Sequence, residues 1–334
     1  MNMNRKPCGQ TMDEKSMNET ACVGSVTRRG FVVGAMAATA TSSLHGADAT
    51  DRDVIQKEID AIQPKDYFAH LRAGPNMSAE ARDAAYARWP ILRRYDAAFE
   101  KVMREARETT VEDRPAIWYV YNMGVVVKTR QSLFSIDLCH RLAPAFADAL
   151  DFAIISHNHG DHFTQDFYRA MDGRHKTVFS NFADNYGACL GHKGLGGFSR
   201  GECTYQIRDV TVRTYQSDHN TLLRGFVMPV EVNVGDYTIL HNGDTFNTQD
   251  LRPTRTPDIW IHHAYCWGSK DGSSETVRGI RAFHPRLTVV AHHQELGHSI
   301  GNARWTFAKA DARKAAAEAE GAVAVVPFWG DRLV

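Results

Sequence analysis

Apolar and polar positions follow two different patterns along this chain, and the change between them falls near residue 115. After that point, short runs rich in valine, isoleucine and aromatic residues predict β-strands separated by polar turns. The first two runs, IWYVYNMGVVVKT and SLFSIDL, are joined by a short polar turn, so we expect them to pair as a hairpin. Further strands are predicted at DFAIISH, TVFSN, VTVRTYQ, GFVMPVEV, YTILHNGD, DIWIHHAY, LTVVAHH and AVAVVPF. Helical stretches near 163–172, 274–283 and 303–320 are interleaved with these strands, which favours an α+β layered sandwich.

The chain from Asp51 to about Thr110 has a helical pattern instead. It is rich in alanine, arginine and glutamate, its apolar residues recur three or four positions apart, and Pro64 and Pro90 divide it. We therefore expect a helical extension over residues 50–115 that packs on a main domain over residues 116–334.

Residues 1–49 combine charged, apolar and small residues in a particular order. Arg28 and Arg29 precede an apolar stretch that is too short to span a bilayer, and Ala47 and Ala49 provide a cleavage site of small residues. This order resembles that of a bacterial twin-arginine signal peptide, which implies that the twin-arginine export machinery carries the chain to the periplasm. The alternative is an N-terminal tail that contains two arginines by chance.

Charge and hydropathy exclude several classes of protein. The sequence has 39 basic and 39 acidic residues, and such a balance argues against nucleic acid as a partner. No apolar run reaches the length of a membrane span, so we expect no integral membrane segment in the mature chain. Of the 16 histidines, most lie after residue 150, which directs attention to metal-dependent chemistry there.

The densest group of candidate ligands is the sequence HNHGDH, which contains His157, His159, Asp161 and His162. His157 and His159 follow an apolar strand at alternate positions, so in an extended backbone both imidazoles point to the same side. Gly160 permits a sharp turn that carries the next two side chains towards a second position. Imidazole and carboxylate ligands suit Zn, Fe or Mn. The alternative, a polar loop with accidental histidines, is disfavoured by this density.

This H-x-H-x-D-H motif resembles the signature of the metallo-β-lactamase superfamily, and the resemblance extends from about Trp118 to Val334. It implies a four-layer αββα sandwich, in which two sheets are flanked by helices and the metals lie at one edge. Later matches to the superfamily pattern are Asp137 in SLFSIDL, His219 in TYQSDHN, Asp244 in ILHNGDT and His292 in TVVAHHQELGH, with His293 as the alternative to His292.

The resemblance also implies a role for each matched residue. His157, His159 and His219 would hold a first divalent metal ion, Asp161, His162 and His292 would hold a second, and Asp244 would lie between the two. We expect Zn in both positions, with Fe or Mn as alternatives. Asp161 would also orient the catalytic hydroxide, and Asp137 and His293 would support the ligands from behind.

The function that the resemblance implies is hydrolysis. A hydroxide bridging the two metals would attack an ester, lactone, amide or phosphodiester bond of a small-molecule substrate. Because Asp244 is a carboxylate where several β-lactamases carry a thiolate, the pattern is nearer to the lactonase and phosphodiesterase-like branches. The same residues leave two alternatives open: an iron-dependent oxidoreductase similar to persulfide dioxygenases, and a non-catalytic metal-binding protein.

The run HHQELGH contains two further candidates. A metalloprotease helix of the H-E-x-x-H type would need histidine at position 294, where the chain has Gln294, so that class is excluded. Glu295 and His298 are instead expected to support the metal ligands or contact the substrate, with a plain surface loop as the alternative. His262 and His263 are expected to be half-buried structural histidines, with a position behind the metal ligands for one of them as the alternative.

Overall fold

The computed structural model describes residues 49–181, 202–264, 273–300 and 304–334. The predicted export signal therefore lies outside the described residues, except for Ala49, which begins the first helix. The described helices are α1 (Ala49–Ala61), α2 (Pro64–Ala73), α3 (Ala79–Arg88), α4 (Pro90–Glu108), α5 (Ala143–Phe146), α6 (Gln165–Asp172), α7 (Ser273–Phe283) and α8 (Phe307–Ala319). Each of these described helices is too short or too polar to cross a lipid bilayer.

Two β-sheets form the centre of the molecule. The first has the order β1-β2-β3-β4-β5, with antiparallel pairing among the first three strands and parallel pairing from β3 to β5. Its strands are β1 (Ala116–Tyr121), β2 (Gly124–Lys128), β3 (Leu133–Ile136), β4 (Phe152–Ile155) and β5 (Thr177–Ser180).

The second sheet has the order β12-β11-β10-β9-β8-β7-β6. Strands β9 to β12 are parallel, and β6 to β9 are antiparallel. Its strands are β6 (Cys203–Ile207), β7 (Val210–Thr214), β8 (Val230–Val234), β9 (Tyr237–His241), β10 (Ile259–His263), β11 (Leu287–Ala291) and β12 (Ala324–Val325).

Most strands of the two sheets are buried. The strands β1 to β4 are almost entirely buried, as are β10 and β11, because both of their faces are covered, whereas β6 and β7 at one edge of the second sheet are partly exposed. Helix α4 packs against β1 and β2, and α8 packs against β11 and β12. One apolar core contains residues from both sheets, including the stacked rings of Phe134 and Phe152. The predicted α+β class and four-layer αββα sandwich are confirmed.

The predicted strand pattern differs from the structure at two places. The run IWYVYNMGVVVKT turns back on itself, so that Ala116 pairs with Lys128 and the run supplies both β1 and β2. Asn122 lies in this turn with a φ of 57°, in the left-handed region that asparagine tolerates better than most residues. The predicted hairpin with SLFSIDL is confirmed as the β2–β3 pair. Strand β6 was not predicted, because its exposed and half-buried residues form no apolar run.

The four N-terminal helices and both sheets belong to one compact unit. A buried carboxylate joins them: Asp96 of α4 accepts hydrogen bonds from Arg141, after β3, and from Tyr86 of α3. The His70 ring of α2 lies 3.1 Å from the same carboxylate. The helical extension is therefore fixed to the first sheet by charged groups as well as by apolar packing.

The sheet topology positions several of the predicted site residues. Strands β9, β10 and β11 are parallel neighbours, so their carboxyl ends lie at the same edge of the second sheet. Asp244 follows β9, His263 ends β10, and His292 follows β11. In the first sheet, β4 ends directly before Ser156 and His157.

Candidate metal centre

The seven side chains that the sequence predicted as metal ligands converge at this edge. Their nitrogen and oxygen atoms form two groups, and within each group all the atoms lie within 4.8 Å of one another. The first group is His157, His159, His219 and Asp244, and the second is Asp161, His162, Asp244 and His292. Asp244 belongs to both groups, which is the arrangement expected of a residue between two ions.

The ligand atoms of the second group are separated by the distances expected around one bound metal ion. The Nε2 atom of His162 lies 3.1 Å from Oδ1 of Asp244 and 3.5 Å from Oδ2 of Asp161. The Nε2 atom of His292 lies 3.4 Å from Oδ2 of Asp161 and 3.2 Å from Oδ2 of Asp244. A tetrahedral ion with bonds of about 2.0–2.2 Å separates its ligands by roughly 3.3–3.6 Å. The side chains therefore fit a divalent ion with little rearrangement.

In the first group the ligand atoms lie farther apart, and one buried nitrogen has no hydrogen-bond partner among the described residues. Oδ2 of Asp244 lies 3.7 Å from Nε2 of His157 and 3.5 Å from Nε2 of His219. Nδ1 of His157 contacts the Ser156 hydroxyl at 3.0 Å, whereas its buried Nε2 has no hydrogen-bond partner among the described residues. Buried polar atoms without partners are uncommon, and a bound cation would supply the missing partner. These nitrogen and oxygen donors suit Zn, Fe or Mn.

Opposite charges in the second group compensate one another. Burial alone would lower the pKa of His162, but Asp244, Asp161 and Asp137 raise it well above its usual value. Burial would also lower the pKa of His292, but the neighbouring carboxylates of Asp244 and Asp161 raise it to about 10. The carboxylates thus favour the protonated form of both histidines, and an ion bound here would compete with those protons.

The first group behaves differently because it is richer in histidine. Burial and the neighbouring His162 hold the pKa of His157 well below its usual value. Burial and His219 lower the pKa of His159 to about 4. Neutral imidazoles are the form that binds metal, so these two rings need lose no proton at neutral pH.

Asp137 lies directly behind the motif and is fully buried. Its Oδ2 atom is 2.9 Å from Nδ1 of His162 and accepts a hydrogen bond from the Ser156 hydroxyl, which in turn contacts His157. One carboxylate therefore orients a histidine of each group, directly or through Ser156. Such partners fix which ring nitrogen faces a metal.

Gly243 allows Asp244 to reach its place between the groups. Its φ is 52°, and a Cβ atom there would lie 2.8 Å from the side chains of both Ser156 and Val227. A larger residue at this position would push the loop after β9 away from the HNHGDH motif.

Glu295 and His298 lie beside the second group. An oxygen of Glu295, a nitrogen of His298 and an oxygen of Asp161 lie within 4.8 Å of one another. The buried Glu295 carboxylate accepts hydrogen bonds from the Tyr121 hydroxyl at 3.0 Å and from the amide of Gly297 at 2.5 Å. Its other oxygen lies 2.6 Å from Nδ1 of His298, so Glu295 orients that ring.

His293 points away from the two groups. Its ring stacks on Tyr119 with 5.9 Å between centroids and lies 6.1 Å from the ring of Phe307. The structure therefore brings His292, and not His293, among the candidate ligands.

Two further residues lie at the site: His263, for which a supporting position was predicted only as an alternative, and Asn122, which was not predicted. Nε2 of His263 lies 3.8 Å from Oδ1 of Asp244, and its ring is 4.3 Å from that of His292. Its signal was present, because His263 ends an apolar run just as His292 follows one. The second is Asn122, whose side chain contacts Asp161 at 2.9 Å. The sequence analysis did not mark it, because the turn that contains Asn122 was not predicted within the run IWYVYNMGVVVKT.

Comparison with known proteins finds similarity in structure but not in sequence. No protein-family model matches the chain, and no curated protein matches it in sequence. The structure is similar to that of Igni18, a metallo hydrolase from the archaeon Ignicoccus hospitalis, with 15% identity and a TM-score of 0.50 over 65% of this chain and 97% of Igni18.

Two further solved structures are similar at lower scores. An isothiocyanate hydrolase from Delia radicum gut bacteria has 15% identity and a TM-score of 0.49, covering 66% of this chain and 98% of its own. The diiron β-hydroxylase CmlA from Streptomyces venezuelae has 16% identity and a TM-score of 0.45, covering 76% of this chain and 59% of its own. The chain thus shares the layered α+β fold of the metallo hydrolase Igni18.

Proposed function

We propose that the protein is a hydrolase that binds two divalent metal ions and cleaves an ester, lactone, amide or phosphodiester bond in a small molecule. The observation that carries this proposal is the pair of ligand groups that share Asp244. A carboxylate between two groups of histidines suits two ions a few ångströms apart, which is the usual arrangement in two-metal hydrolases. The similarity to a metallo hydrolase in fold supports the same reaction class.

In this proposal, His157, His159 and His219 hold the first ion and Asp161, His162 and His292 hold the second, with Asp244 between them. Bound divalent ions would supply a water nucleophile at neutral pH and withdraw charge from the electrophilic oxygen of the substrate.

The protein's own residues would do the remaining work. Asp161, whose Oδ2 atom faces Nε2 of His292 at 3.4 Å, would orient the attacking water. His298, held by Glu295, would contact the substrate from the partly exposed side of the site. Among the described residues, the two groups contain no thiolate, and this donor set supports an assignment nearer to lactonases and phosphodiesterases than to cysteine-containing β-lactamases.

Metal analysis and a substrate panel test the proposal together. Protein purified without chelators should contain about two Zn, or two other divalent ions, per chain and should cleave at least one lactone, phosphodiester, ester or amide. Asp161→Asn should abolish that cleavage, whereas the matched change Asp236→Asn, at a fully exposed turn residue, should leave it unchanged.

Two outcomes would overturn the hydrolase proposal. One Fe per chain with oxygen consumption would indicate the iron-dependent oxidoreductase instead. Bound metal without turnover of any substrate in the panel would indicate a non-catalytic metal-binding protein.

We also propose that the chain is exported to the periplasm through the twin-arginine machinery. Arg28, Arg29 and the apolar stretch after them carry this proposal. Replacing both arginines by lysine should keep a tagged protein in the cytoplasm, while Arg5→Lys, outside the pair, should not. Export of the double variant at the normal level would contradict the proposal.

A further inference from the structure

We propose that Asn122, at the tip of the β1–β2 hairpin, is a positioning residue that joins the two halves of the second metal position. It would fix Asp161 through its side chain and His292 through its main chain. This inference rests on the proposed function, because it assumes that Asp161 and His292 hold an ion.

The side chain of Asn122 lies at the edge of the second ligand group. Its Nδ2 atom donates a hydrogen bond to Oδ2 of Asp161 at 2.9 Å and lies 3.3 Å from Nε2 of His162. Asn122 is fully buried, so water does not compete for this contact. A hydrogen bond to a ligating carboxylate fixes its orientation, and loss of such partners weakens metal binding.

The main chain of Asn122 makes the second connection. Its carbonyl oxygen accepts a hydrogen bond from the amide of His292 at 2.9 Å and another from the Tyr119 hydroxyl at 2.7 Å. Asp161 follows a strand of the first sheet, whereas His292 follows a strand of the second. Asn122 therefore contacts one ligand from each sheet and sets their separation.

The position favours asparagine for two reasons at once. With a φ of 57°, the turn admits glycine, asparagine or aspartate far more readily than other residues. Glycine would keep the turn but remove the hydrogen bond, and aspartate would place a second carboxylate against Asp161. Only asparagine among the three donates to Asp161 while it keeps the backbone shape.

The variant Asn122→Gly isolates the side chain, because the turn and the carbonyl bond to His292 remain possible. Its matched control is His284→Gly, which changes an exposed residue with a φ of 48° before β11, at the opposite end of that strand from His292. Zn binding to metal-free protein is measured by competition with a coloured chelator, and Co(II) absorption reports the two positions separately. Thermal unfolding of the metal-free proteins checks that both variants are folded.

We expect wild type and His284→Gly to bind two ions alike. In Asn122→Gly, one of the two binding steps should weaken about 10- to 100-fold and its Co(II) spectrum should change, while the other step keeps its affinity. If wild type binds two ions and Asn122→Gly binds both as tightly, the inference is wrong while the proposed function stands. If wild type binds fewer than two ions, the proposed function fails first.

Discussion

The Nδ1 atom of His162 lies 2.9 Å from Oδ2 of Asp137, and both side chains are fully buried. Because this contact occupies Nδ1, the ring presents Nε2 to Asp244 at 3.1 Å. Asp137 therefore decides which nitrogen of His162 faces the second ligand group, although it belongs to neither group.

Replacing Asp137 by asparagine should weaken metal binding about 10- to 100-fold. The amide is nearly the same size, but it carries no charge, and its NH2 group cannot accept a hydrogen bond. One terminal atom therefore loses its acceptor role, either towards the Ser156 amide at Oδ1 or towards the Ser156 hydroxyl and His162 at Oδ2. Chelator competition on metal-free protein measures the change. Equal affinities for Asp137→Asn and wild type would show that the contact does not orient the ring.

Asp96 should contribute strongly to stability. The Arg141 guanidinium lies 2.6 Å from its carboxylate, and both side chains are almost fully buried. Asp96→Asn leaves that charge without its partner, so the free energy of unfolding should fall by about 3–5 kcal/mol. The matched change Asp166→Asn removes an exposed ion pair and should cost less than about 1 kcal/mol. Urea unfolding of the two variants measures both values, and equal losses would contradict this account.

The same carboxylate should make stability depend on pH. Burial by itself would raise the pKa of Asp96, but the hydrogen bond from His70 and the neighbouring His140 and Arg141 hold the pKa well below its usual value. The folded state therefore binds this proton less readily than the unfolded chain, where the pKa is about 3.9. The resulting stability is fully present above that value and is lost as the pH falls below it.

Urea unfolding of wild type and Asp96→Asn between pH 7 and pH 3 measures this effect. The difference between their free energies of unfolding should be constant above about pH 5 and should shrink below about pH 4. A difference that stayed constant throughout would mean that the pKa of Asp96 is not lowered by folding.

Alanine substitutions at two glycines with similar φ angles distinguish the effect of backbone strain from that of steric crowding. Gly243 and Gly235 have φ values of 52° and 56°, but a Cβ atom at Gly235 would meet nothing within 4 Å. Gly235→Ala should therefore lower the free energy of unfolding by about 1–2 kcal/mol, because alanine disfavours the left-handed conformation and meets no crowding there. Gly243→Ala should lower the free energy of unfolding by roughly 1–3 kcal/mol more, because the new Cβ atom would crowd Ser156 and Val227.

The two alanine variants should also differ in metal content, because only Gly243→Ala displaces Asp244. Elemental analysis of both proteins tests this expectation. Full metal content in Gly243→Ala would show that the loop after β9 can move without loss of the site.

Local pattern predicted much of this site, because most of the candidate ligands follow apolar strands. His157 and His292 were predicted in this way, and the structure brings both to one edge of the sandwich. His263 carried the same signal, yet it was expected to be structural. Its approach to Asp244 depends on β9 and β10 being parallel neighbours, and strand order is not a local property.

Asn122 and Asp96 illustrate a second limit. The turn that contains Asn122 was not predicted, and the contact of Asn122 with Asp161 depends on how the β1–β2 hairpin packs over the HNHGDH motif. Asp96 is a polar residue in a helix of ordinary amphipathic pattern, and its burial follows from the packing of α4 against the loop that carries Arg141.

By itself, the sequence determined the kinds of elements and the chemistry of the donors, since periodicity and residue type act over a few neighbouring positions. The sequence predicted Asp244 between two groups of ligands, and His292 ahead of His293, by resemblance and position in the chain, but only the tertiary structure brought these side chains together. These relationships join residues far apart in the chain, and their distances are set by how two sheets pack.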